Sequence, residues 1–87
     1  MSRLPPATAR TLEALDAAPN KRIAINDFRK ATGVKTRAYY PFLNRLLDAP
    51  YIVGVGDLSR DHWYSITFKG MKALEAHRAA ILKAKAS

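Results

Sequence analysis

Four side chains able to read the edge of a nucleic-acid base fall within the run from Val34 to Asp48: Thr36, Arg37, Tyr40 and Asn44. An arginine can place two donors on a guanine edge, and an asparagine can pair with adenine, because both match donor and acceptor patterns displayed in the major groove. Arg29, Lys30, Lys35 and, further along, Arg60 are the cations suited to phosphate, which position a protein on a duplex without reading sequence. Trp63 is a candidate for stacking or for holding a partner.

These residues need a helix to present them. Tyr39, Leu43 and Leu46 recur at i, i+4 and i+7, widened by Phe42 and Leu47, so one side of the run packs inward while Arg37, Tyr40, Asn44 and Arg45 occupy the other. Pro41 donates no N–H and is tolerated where N–H groups lack intrahelical partners, which predicts a helix over about 37–48 starting near Arg37 or Ala38. Lys35, Thr36 and Arg37 then stand at its mouth, where the dipole favours an anion. Ahead of it, Asp27 to Thr32 has the length of a short helix closed by Gly33, and Asn26 is its expected N-cap. A short helix, a tight turn and a second helix form a helix-turn-helix.

The rest of the chain supplies a frame. Pro5-Pro6 suits a helix start, predicting a helix from Ala7 or Thr8 to Ala18, ended by Pro19-Asn20. Arg22 to Ile25 is too short to stand alone and needs a later strand to pair with. Tyr51 to Val55 and His62 to Ile66 are β-branched and aromatic, joined by Gly56 to Asp61, and make a hairpin wing over 51–66. Thr67 caps a last helix running to about Lys83, with Met71, Leu74, Ile81 and Leu82 near one stripe and Arg78 completing the spacing. The expected core is Leu12, Leu15, Phe28, Leu43, Leu46, Tyr64, Ile66 and Leu74. The fold expected is α+β: a winged helix with a three-helix core, a short first strand, a two-stranded wing and a C-terminal helix. It is one domain over 1–87, with ends fraying at about 1–5 and 84–87.

Two local runs carry a family resemblance. Tyr40-Pro41-Phe42-Leu43-Asn44-Arg45-Leu46 resembles the recognition-helix segment of PadR-like transcriptional regulators. Tyr64-Ser65-Ile66-Thr67-Phe68-Lys69-Gly70-Met71-Lys72-Ala73-Leu74 resembles the strand-to-helix junction shared by PadR-like and MarR-like families. The resemblance spans about Ile23 to Leu82 and implies a transcriptional regulator that binds double-stranded DNA, helix three in the major groove and the wing on adjacent backbone. It also implies a homodimer through the C-terminal helix. Arg60-Asp61-His62-Trp63 stands where the family usually carries a basic run, Ala49-Pro50 where a glycine often follows helix three, and the final helix is short.

Composition agrees with a polyanion partner. Among 87 residues, 15 Lys and Arg face 7 Asp and Glu, a net charge of +8. Residues 21–48 hold seven of those cations against two carboxylates, and 67–87 total +4. The longest apolar run, Pro50 to Val55, is far below the roughly 20 residues a membrane span requires, and the first residues lack a signal-peptide core, so no membrane is expected and the location expected is cytoplasmic. Without cysteine there is no disulfide or thiolate metal site. His62 and His77 stand alone, without a ligand cluster, and no catalytic triad or phosphate-cradling loop is present, so neither metal, cofactor nor enzyme is expected. The rival reading is a winged-helix protein-interaction module, presenting Trp63, Leu58 and the last helix without reading DNA.

Overall fold

The computed structural model describes residues 3–56 and 62–86. Helix α1 runs Pro6–Ala17, followed by a 3-10 turn at Pro19–Lys21, strand β1 at Arg22–Ala24, α2 at Ile25–Thr32, α3 at Thr36–Asp48, β2 at Ile52–Val55, β3 at Trp63–Ile66 and α4 at Phe68–Ala86. The order of elements is the expected one.

Pro6 occupies the first position of α1, where its missing N–H costs nothing, and the helix buries Thr8, Thr11, Leu12 and Leu15 at helical spacing. Asn20 and Lys21 both take positive φ, at 56° and 55°, turning the chain sharply into β1. Asparagine tolerates that left-handed conformation better than most residues; Lys21 is held there with its ammonium 2.7 Å from Asp16 Oδ1. The sheet is antiparallel in the order β1-β3-β2, with Ile23 opposite Tyr64 and Ile52 opposite Ile66. Its inner face meets the helices at Phe28, whose ring centroid lies 4.7 Å from that of Tyr64.

The eight core residues expected from periodicity are all buried, joined by Tyr39 and Ile52. Leu12, Leu15 and Phe28 have no exposed surface.

Capping departs from expectation at α2. Ala24 precedes the first helical residue and Asn26 lies exposed within the first turn, making no side-chain cap. The sheet decides this: Ile25 N–H donates to the His62 carbonyl at 3.1 Å, so the chain leaves the strand and enters the helix at one residue. At the other end Gly33 caps in the left-handed region at φ 65°, as expected. Beside it the buried Thr32 hydroxyl donates to Arg29 O at 2.8 Å and accepts from Val34 N–H at 3.2 Å, fixing the turn into α3.

Helix α3 begins at Thr36, earlier than expected, which puts Pro41 in its second turn. The Arg37 carbonyl therefore loses its i+4 donor, a loss that solvent can make good because Arg37 is exposed.

Thr67 ties the wing to α4. Its hydroxyl accepts from Gly70 N–H at 3.0 Å, the expected cap, and donates to Pro50 O at 2.6 Å. Lys69 Nζ adds a bond to the Ala49 carbonyl. Gly70 is buried, and a Cβ there would collide with the Tyr51 carbonyl oxygen, so only glycine lets the helix approach this closely. Helix α4 stays regular to Ala86, beyond the expected end near Lys83. Arg78 bridges α4 to α1 through Glu13 at 3.2 Å and Asp16 at 3.4 Å instead of extending the apolar stripe. Leu4, placed in the expected frayed end, packs against the core and donates its N–H to His77 Nδ1 at 2.9 Å. His77 is thus a buried acceptor at Nδ1.

Candidate nucleic-acid interface

Helix α3 buries Tyr39, Leu43 and Leu46 against the core, which turns the opposite arc outward. Arg37, Tyr40, Pro41, Asn44 and Asp48 occupy that arc and are all exposed. Tyr40 is 62% exposed, with its ring edge-on to Tyr39 at 5.5 Å. No hydrogen bond or ion pair among the described residues occupies Arg37 or Asn44, so their donors and acceptors are available to a ligand.

Thr36 differs from the other three. It sits at the first position of α3, and its hydroxyl accepts from Arg29 Nη2 at 3.2 Å. The Arg29 guanidinium also lies 5.1 Å from the Tyr39 ring centroid, so this expected phosphate contact is held by an intramolecular clamp across the turn. Lys30 and Lys35 are exposed on either side of Gly33. Arg60 and Leu58 lie outside the described residues.

Burial, followed by the neighbouring Tyr64 phenol, raises the Tyr39 pKa above its ordinary value. Tyr39 is a packed ring of the core, so of these two neighbouring phenols the exposed Tyr40 is the one that can meet a ligand.

On the sheet, Trp63 is half-buried, with the Arg22 guanidinium 5.4 Å from its ring centroid. Trp63 stands opposite Val55 and Ala24, and Ser65 opposite Val53 and Arg22, so these side chains share the outer face. Val53 and Val55 are 47% and 37% exposed there. Behind them, Gly54 leaves room for His62, whose ring atom would stand 2.9 Å from a Cβ added at that position.

Two further arginines stand beside these candidates. Arg22 belongs to the wing face through its contact with Trp63, and Arg10 of α1 reaches the helix-turn-helix at Gly33. Neither has a local signal, since both meet their neighbours only through tertiary packing.

No helix among the described residues is long and apolar enough to cross a membrane. No family model and no curated protein matches the sequence. Solved structures do match in fold. MepR of Staphylococcus aureus, a transcription regulator of the multidrug efflux pump MepA, superposes with a TM-score of 0.76 at 22% identity over 94% of this chain. RV1404 of Mycobacterium tuberculosis superposes with a TM-score of 0.68 at 21% identity over 92%. The chain spans 61% and 57% of the lengths of those two proteins. The likeness to these two proteins is one of fold and does not single out the PadR-like pattern. Four α-helices and a three-stranded antiparallel sheet among the described residues, superposing this well on these regulators, establish that the chain has the winged-helix fold.

Proposed function

We propose that this chain binds double-stranded DNA as a small sequence-specific transcriptional regulator, with α3 in the major groove and the wing along the adjacent backbone. The observation that carries the reading is the outward arc of α3, opposite its buried stripe, where Arg37 and Asn44 stand exposed with no hydrogen-bond or ion-pair partner among the described residues and Tyr40 is exposed beside them. Arg37 and Asn44 read base edges, Lys30 and Lys35 hold phosphates, and Arg29 holds the helix entrance. The similarity to regulators such as MepR supports the reading at the level of fold.

The test is titration against random duplex at about 50 and 200 mM salt. Two phosphate contacts give a log–log slope near −1.8, so fourfold more salt weakens binding about 12-fold. Binding absent even at low salt would overturn the proposal. It would favour the interaction module, for which the exposed valines beside Trp63 are the supporting observation.

Two copies pair on DNA through the outer half of α4 in this reading. Met71 and Leu74 are committed to the chain's own core, which leaves Leu82, 70% exposed, as the centre of the pairing patch.

A further inference from the structure

The first 20 residues carry two cations and two carboxylates, and by charge alone α1 contributes nothing to a polyanion surface. The side chains are not paired that way. Glu13 is taken by Arg78 at 3.2 Å, and Asp16 by Lys21 at 2.7 Å and Arg78 at 3.4 Å, so both carboxylates of α1 serve other elements. Arg10 is exposed and, among the described residues, has no hydrogen-bond or ion-pair partner.

Its guanidinium lies over the turn between α2 and α3. Nη1 stands 2.5 Å, and Cζ 3.7 Å, from where a Cβ would be on Gly33. The positive φ of 65° is what calls for glycine at position 33, and the open space beside it is occupied by the end of the flexible Arg10 side chain. Exposed Lys30 and Lys35 flank the same glycine, and Arg29 crosses the turn to Thr36. Arg10 thus adds a cation beside a turn that already carries Lys30, Lys35 and Arg29, while the carboxylates of α1 are engaged by Lys21 and Arg78, so the net charge here is positive and attracts an anion. A guanidinium offers a phosphate two parallel donors, which an ammonium does not.

We propose that Arg10 is a phosphate-binding residue of the DNA interface, delivered by α1 across Gly33. The inference rests on the DNA-binding reading above. It adds a third helix to the contact surface, anchored beside the entrance of α3.

The experiment measures the salt dependence of binding to a random-sequence duplex for the whole chain and for Arg10→Ala, Arg10→Lys and Lys72→Ala, with a thermal melt of each. Arg10→Ala should make the log–log slope shallower by about 0.9, the signature of one lost phosphate contact. It should weaken selected and random duplexes by the same factor and leave the melting temperature in place. Arg10→Lys should keep the slope while losing part of the affinity, and Lys72→Ala, which removes the same charge from α4, should keep both. An unchanged slope in Arg10→Ala overturns the proposal, whether or not the melting temperature falls with it, since a purely structural arginine would lower stability and leave the slope alone. Failure of the unaltered protein to bind duplex is a separate result, and it removes the DNA-binding reading together with the role of Arg10.

Discussion

Arg29 Nη2 donates to Thr36 Oγ1 at 3.2 Å, and the same guanidinium lies 5.1 Å from the Tyr39 ring centroid. One side chain of α2 thus holds both the first residue of α3 and a residue of its buried stripe. An exposed hydrogen bond contributes about 0.5–1.5 kcal/mol and an exposed cation–π contact about 0.5–1. The two overlap in one group, so Arg29→Ala should cost about 1 kcal/mol in chemical denaturation. Arg29→Lys should recover less than half of that, because a single ammonium lacks the planar fork that bonds and stacks together. Full recovery by lysine would show that charge alone matters at this turn.

Base reading and phosphate binding separate by substitution. Arg37→Ala and Asn44→Ala should change which sequences are selected from a random duplex pool, each direct contact contributing roughly 1–3 kcal/mol of discrimination. Lys30→Ala and Lys35→Ala should weaken every sequence alike. Equal losses on selected and random DNA for all four variants would refute the division of roles.

Packing gives a contrast within the apolar residues. Leu46, 2% exposed, lies in the core, whereas Leu82 is 70% exposed. Leu46→Ala should cost about 2–5 kcal/mol by lost transfer energy and a cavity. Leu82→Ala should change monomer stability by no more than about 0.5 kcal/mol. Calorimetry on both variants checks the packing of α3 and α4 at once.

What could be read from the sequence was local. The stripe of α3, the Gly33 cap, the Thr67 cap and the alternation of Tyr64 and Ile66 each follow from neighbours a few residues apart, and each is observed. What escaped was settled by distant partners. Asn26 lost its capping role because Ile25 N–H is drawn to the His62 carbonyl in the sheet. Leu4 is held by His77, 73 positions away, and Arg10 meets Gly33 only because α1 packs across α2. Of the four candidates for base reading, Arg37, Tyr40 and Asn44 share the expected outward arc, while Thr36 is engaged by Arg29, a pairing that helical periodicity cannot reveal.

Stability should fall at both ends of the pH range for different reasons. Burial raises the Tyr39 and Tyr64 phenols above 10.0, while the hydrogen bond from Lys21 lowers the Asp16 carboxyl below 3.8. Below pH 10 both phenols are neutral in folded and unfolded chains; above it the unfolded chain releases protons that the folded chain retains, so stability drops until the folded pKa values are passed. The Asp16 contribution is present above its unfolded pKa and is lost as pH falls through the lower folded value. Tyr39→Phe should flatten the alkaline limb alone, and Asp16→Asn the acid limb alone, in denaturation midpoints followed across pH.

Assembly is the last test, and it turns on Leu82. A two-fold dimer brings the same patch against itself, placing two recognition helices over half-sites about 34 Å apart on near-palindromic DNA. Met71 and Leu74 are used within the chain, so the outer half of α4 offers Leu82 with Ile81 half-buried beside it. That apolar area is small, and Lys83 and Lys85 bring like charges toward their own copies. Pairing should therefore be weak in free solution and stabilised on a duplex, where the half-sites hold the copies in register. Sedimentation should find one copy without DNA and two on a palindromic duplex at saturation. Leu82→Asp should return the bound stoichiometry to one while the affinity for a single half-site stays unchanged. One copy of the unaltered protein at saturation, on palindromic and non-palindromic DNA alike, would leave the symmetric arrangement without support.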